Sequence, residues 1–312
     1  MKAIREFHTG LVPIEKDIDP RPPYNGRGWS ARIRKRRMKV SGRKENEVAI
    51  YAKSWVTAQQ ALDLIISSLS LFVGGAPTLP LGDLIAHNED EPIVRSTFEK
   101  ERIFSQYWST VDIPVSCAMA AKASRCRKFG YAIAKYALSV SLYSVDPVDL
   151  EPYGSAHLSV SAFYREHVAF SHSIIAAYSA VEELGFNVPA SRENPSTIQG
   201  NWNPVVRMKL EDRLGNAGIE LEDKLLWTMR GPRRRIDSKK APRVSGKAPW
   251  SHGLIRDADI DIVDAINYAS WLRSNVASHK VSDLGSSLSP YDVINVQHLA
   301  RRLILESLGF WQ

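Results

Sequence analysis

Cysteine is nearly missing from this chain. Two residues in 312, Cys117 and Cys126, are too few for a disulfide framework or a four-cysteine zinc site. Long apolar runs are missing too. The best candidates, around Leu62–Val73 and Ile133–Val145, fall short of the roughly 20 residues of a membrane-crossing helix, so no membrane association is expected. The N-terminus lacks the basic-then-apolar order of a signal peptide, and a reducing cytoplasm is the expected setting. No Gly-rich phosphate loop, nucleophile elbow, paired-cysteine motif or internal repeat occurs. Motif-defined nucleotide folds and elbow hydrolases are thereby set aside, and no cofactor is expected.

What is present is 44% hydrophobic and 24% charged residues, the composition of one large or two ordinary globular domains. The charge is unevenly placed. Residues 1–50 hold 13 Lys+Arg against 6 Asp+Glu, which accounts for the whole net charge of +7; the remainder holds 28 of each. A second basic island covers Arg230, Arg233, Arg234, Arg235, Lys239, Lys240, Arg243 and Lys247, with Asp237 its only acid. Such islands attract polyphosphates through counterion release. They serve equally as a solubilising tail and a solvated loop.

The hydrophobic pattern predicts a mainly α protein. A polar Ser41–Asn46 turn between Trp29–Val40 and Glu47–Ser54 predicts a short basic β-hairpin, after which an N-terminal helical domain follows. Its helices are expected over 54–73, ended by Gly74-Gly75, and over 114–145. The proline- and acid-rich stretch Asp146–Pro152 is the expected boundary, dividing the chain into 1–150 and 151–312. Four amphipathic helices are expected beyond it: one from about Phe163 to Gly185, one over Val205–Arg230, one starting around Asp257–Asp261, and one opening on Ser289-Pro290-Tyr291-Asp292. Together they suggest a four-helix bundle. The 26-residue stretch from Gly231 to Arg256 is too long for an ordinary bundle connection, and is either disordered or functional.

Two clusters invite a metal reading and fail it. Asp257, Asp259, Asp261 and Asp264 lack the Gly and the Glu of a calcium loop, since Ile262 and Tyr268 stand at those places. Acids at a helix start are explained by its dipole. His167 and His172 are five residues apart, off a common helical face.

The remaining constellation is Arg273-Ser274-Asn275-Val276-Ala277-Ser278-His279, at the end of the third C-terminal helix. Arg165…His172 has similar spacing. Only the second match closes a penultimate helix ahead of a capped last one. In this context the chain from about residue 160 resembles the HEPN superfamily, whose ribonuclease members carry an Arg, four to six residues and a His in a four-helix unit. The stretch Ala177–Gly185 is similar to the first helix of such domains. The resemblance implies a metal-independent RNA endonuclease of the toxin–antitoxin or phage-defence kind, acting as a homodimer and opposed by an antitoxin partner. Arg273 would clamp phosphate, His279 would transfer protons, Ser274 or Asn275 would assist, and Arg230, Arg233, Arg234, Arg235, Lys239 and Lys240 would contact RNA.

The chemistry stands without the family. RNA carries its own nucleophile, the 2′-hydroxyl. Its cleavage needs proton transfers to and from oxygen, together with positive charge on the phosphorane. Histidine and arginine supply these near neutral pH. On a regular helix, six residues leave Arg273 and His279 about 120° apart, so a single copy makes an awkward site. The alternative is a non-catalytic HEPN-like module that binds RNA or a partner chain. A third reading is a structural protein in which Arg273 pairs with an acid such as Asp283.

Overall fold

The computed structural model describes residues 4–12, 23–37, 44–73, 85–86, 112–143, 164–198, 201–230, 250–251, 255–274, 288 and 290–311. Helices predominate among them. The chain divides into two compact units, Met1–Gly130 and Tyr131–Gln312. The expected boundary at Asp146–Pro152 lies outside the described residues.

The first unit is built on a five-stranded sheet of order β2-β3-β4-β1-β5, formed by β1 (Arg5–Val12), β2 (Tyr24–Gly26), β3 (Trp29–Arg37), β4 (Lys44–Ala52) and β5 (Ile85–Ala86). The predicted hairpin is its centre: β3 and β4 pair antiparallel from Trp29↔Ala52 to Arg37↔Lys44. Period-two alternation explains why. Trp29, Ala31 and Ile33 are buried along with Val48, Ile50 and Ala52, whereas Arg32 is exposed. The buried face packs with Ala58, Ala61, Leu62 and Ile65 of α1 (Trp55–Val73) and with Ile113, Cys117, Ala120 and Ala121 of α2 (Asp112–Ala123). The β2–β3 turn is held by the Arg27 amide donating to Ser124 Oγ at 2.8 Å. Gly26 is obligatory there, since a Cβ would lie 2.1 Å from the Trp29 ring.

The expected N-terminal helical domain is thus a sheet covered by helices. The reason is that β1 and β5 add to the hairpin by backbone pairing, which no side-chain periodicity announces. The single helix expected over 114–145 is likewise two. α2 ends at Ala123, Ser124 Oγ bonds back to the Ala121 carbonyl at 2.8 Å, and α3 (Arg127–Leu142) starts afresh.

In the second unit, α4 (Tyr164–Leu184) matches its predicted span and ends as expected at Gly185. Gly185 takes φ +91°, its amide donates to Glu182 O and the Phe186 amide to Val181 O, a Schellman closure. A short antiparallel pair, β6 (Thr197–Ile198) and β7 (Asn201–Trp202), comes next. The predicted helix over Val205–Arg230 stops early: α5 (Pro204–Asn216) closes through Gly218 at φ +76°, and β8 (Lys224–Arg230) follows. The acids at 257–261 lie on a strand rather than a helix start. β10 (Ile255–Asp261) pairs residue for residue with β8, while β9 (Trp250–Ser251) pairs with the Ile255 end of β10. Leu225 and Trp227 are buried and Leu226 exposed, the alternation of a one-sided strand. The long Gly231–Arg256 connection therefore leaves and re-enters a small sheet, and residues 231–249 lie outside the described residues.

From Asp261 the chain enters α6 (Ile262–Leu272), which is buried on almost every side, and later α7 (Pro290–Ser307), which begins at the proline expected to open it. Helices buried all round belong to the interior of a domain. α3, α4 and α7 are locked by a polar network in otherwise dry packing. The Gln297 amide donates to Ser139 Oγ (3.1 Å), Ser173 Oγ (3.1 Å) and the Tyr143 carbonyl (2.8 Å), and each serine hydroxyl also donates to the other's backbone carbonyl. Lys135 adds an ion pair to Glu183 at 2.6 Å. No described helix is long and apolar enough to cross a membrane.

Candidate functional site

Arg273 closes α6 with helical dihedrals, φ −57° and ψ −45°. Its amide donates to the Ala269 and Ser270 carbonyls, and the helical backbone continues through Ser274. The guanidinium is 39% exposed, and its Nη2 stands 3.8 Å from Glu182 Oε2, which lies at the Schellman-closed end of α4. One turn earlier on α4, the buried Tyr178 hydroxyl bonds to the Ser270 side chain and to the Val188 backbone. Burial pushes that phenol up to about 12, Glu182 adds to the rise, and Arg273 opposes it. Tyr178 therefore remains a neutral hydrogen-bonding group that fixes α4 against α6, and Glu182 orients a cation that still reaches solvent.

The small sheet carries the second candidate element. α6 turns back along β8, so the Tyr268 ring meets the Trp227 ring edge-on at 5.5 Å and the Trp271 ring at 6.2 Å. Arg273 lies two residues beyond Trp271. Arg230 lies three beyond Trp227 and pairs through its backbone with Ile255, where the basic loop begins. The opposite end of the sheet is pinned by Lys224 bonded to Asp261, and by Arg207, which reaches Asp264 (3.3 Å) and Asp261 (3.5 Å). Trp202 Nε1 also donates to Asp264, at 2.6 Å. Asp261 and Asp264 are thus engaged with cations and an indole, and among the described residues no group of three or more His, Cys, Asp or Glu side chains could hold a metal ion.

Of the sequence-predicted site residues, Arg273 and Ser274 are described, as is the backbone of Arg230. Ser274 is half-buried and already engaged in the fold. Asn275, His279, Arg233, Arg234, Arg235, Lys239, Lys240 and the suggested partner Asp283 lie outside the described residues. His167 is half-buried and His172 exposed. Cys117 is excluded as a nucleophile, because complete burial pushes its thiol up to about 12. Tyr178, Ser270 and Glu182, the neighbours of Arg273, were not legible as site residues. The one available signal was that Tyr178 and Glu182 sit a single helical turn apart. Comparison of this chain with protein-family models, curated proteins and solved structures finds no match in any of the three.

Proposed function

We propose that this protein is a metal-independent RNA endonuclease of the HEPN type over the chain from about residue 160. In this reading Arg273 holds the scissile phosphate and offsets the charge that grows on it. His279 serves as the proton-transfer residue, with Asn275 or Ser274 as polar assistant. The 2′-oxygen, freed of its proton, attacks phosphorus, and the 5′-oxygen leaves as it gains a proton. The products are a 2′,3′-cyclic phosphate and a 5′-hydroxyl. The basic loop carrying Arg230, Arg233, Arg234, Arg235, Lys239 and Lys240 would guide the RNA backbone, and two copies would bring their motifs together. A toxin or phage-defence role with an antitoxin partner follows from the same resemblance.

The supporting observation is the state of Arg273: oriented by a loose contact to Glu182 at the end of α6, and left open enough to meet a phosphate. The test is incubation of the full chain with RNA in EDTA. Fragments ending in 2′,3′-cyclic phosphate, absent with Arg273→Ala and with His279→Ala, support the reading; no cleavage at any enzyme concentration refutes it. The same Glu182 contact favours a second reading, a non-catalytic RNA-binding module in which Arg273 is partly neutralised. There Arg273→Ala leaves RNA binding intact, while neutralising Arg233, Arg234 and Arg235 weakens it.

A further inference from the structure

The densest charge in the chain lies in the first unit. Residues 32–44 contain eight Lys or Arg and no Asp or Glu. Both ends of this stretch are strand, paired in register as far as Arg37↔Lys44. Lys35, Arg36, Arg37 and Lys44 therefore stand at the distal end of the β3–β4 ladder, whose near end carries the core residues Trp29, Ala31, Ile33, Val48 and Ile50.

The register sorts these cations. Arg34 belongs to the fold: its Nε bonds to the buried Glu47 at 2.6 Å, and its Nη2 pairs with Glu6. Arg36 stands opposite Glu45. Lys35 stands opposite Asn46, and Arg37 opposite Lys44, so no acid faces any of these three cations across the ladder. Like charges directly opposite one another weaken a sheet, and nothing in the apolar core requires this pair. A bound polyanion turns that repulsion into attraction. On the opposite face of the same strand, exposed Arg32 lies over the Tyr51 ring, 5.9 Å from its centroid.

The edge has its own chemistry. β2 covers β3 only as far as Ala31, and Pro22 and Pro23 just before β2 have no N–H with which to extend the pairing. A cationic edge resists addition of another strand. A membrane-surface partner would call for a helix with a Trp, Phe or Leu face, and this segment is a hairpin whose Ile33 is consumed by the core.

We propose that the distal end of the β3–β4 hairpin is an RNA-backbone-binding element, with Lys35, Arg37 and Lys44, which the register places on one face of the ladder, as its phosphate contacts. The element lies outside the unit that carries Arg273 and does not require cleavage. Only the choice of RNA as the polyanion rests on the ribonuclease reading.

The experiment titrates the full chain into a fluorescein-labelled single-stranded RNA across a salt series, comparing wild type with the Lys35→Gln/Arg37→Gln/Lys44→Gln variant. Three lost phosphate contacts on a single strand should make the slope of log K against log salt shallower by about 2. The charge-preserving Lys35→Arg/Arg37→Lys/Lys44→Arg variant should retain the wild-type slope, and thermal melts establish that both variants fold. An unchanged slope in the neutralised variant overturns the proposal, as does a wild-type preference for phosphatidylserine vesicles over RNA. If cleavage is never seen yet the neutralised variant loses its slope, the ribonuclease reading falls and the hairpin element stands. If Arg233→Gln/Arg234→Gln/Arg235→Gln abolishes binding while the hairpin variant binds normally, the reverse holds.

Discussion

The contact between Arg273 and Glu182 separates a working arginine from a structural one, and its strength can be measured by a double-mutant cycle of Arg273→Ala, Glu182→Ala and the pair. At 3.8 Å, two unit charges attract by about 1 kcal/mol in bulk water and about 4 kcal/mol at an effective dielectric constant near 20. Both side chains are more than a third exposed, at 39% and 34%, so solvent screening puts the pair near the lower figure. Exposed pairs of this kind show coupling of roughly 0.2–1 kcal/mol. The expected result is therefore a coupling below about 1 kcal/mol from urea unfolding, followed by circular dichroism and tryptophan fluorescence. The corresponding thermal shift is at most roughly 2–4 °C for a unit of this size. The coupling should also shrink in high salt. A coupling of about 3 kcal/mol or more, as in buried pairs that leave an unpaired charge when broken, would mark Arg273 as an anchor of the fold and refute its assignment as a phosphate clamp.

Two further outcomes follow from the packing of the second unit. Gln297→Met removes an amide whose two hydrogens are shared among three acceptors while keeping the volume, and should lower stability by about 1–3 kcal/mol in urea melts. Gln297→Glu should be worse at neutral pH, because it sets a carboxylate against the Tyr143 carbonyl and beside two hydroxyls already committed to backbone carbonyls, and should recover on acidification; equal stability of the two variants across pH would show that the Ser139–Ser173–Gln297 network does not lock the helices. Burial raises the Glu306 carboxyl above its ordinary value of 4.5, with the Arg302 hydrogen bond and charge opposing the rise. Its folded form then binds a proton that its unfolded form has released, so stability is gained as pH falls toward 4.5 and lost as pH rises through the folded value. Wild type should gain stability over Glu306→Gln on such acidification, and a flat difference would sink the assignment.

Several features were legible in the residues themselves because they rest on local chemistry. The 3.6-residue stripes of α1, α4 and α7, the glycine that ends α4, and the proline that opens α7 all follow from side-chain periodicity and capping stereochemistry. The β3–β4 hairpin was equally visible, since Trp29, Ala31 and Ile33 alternate with polar residues and a polar stretch separates the two strands. The chemical character of Arg273 was legible too, because an arginine keeps its charge in any setting.

Tertiary structure decided the rest, wherever pairing or burial across long separations outweighs local preference. Lys224–Arg230 reads as the tail of a helix until β10 gives it a seven-residue ladder. The acids before α6 read as a helix start until the same ladder claims them. The partner of Arg273 is Glu182, 91 residues away, and the packing of α4 against α6 brings the two together. Which cations of the basic hairpin are consumed by the fold was equally hidden in composition. Their number follows from counting residues, but antiparallel register alone sets Arg34 against Glu47 and Arg37 against Lys44.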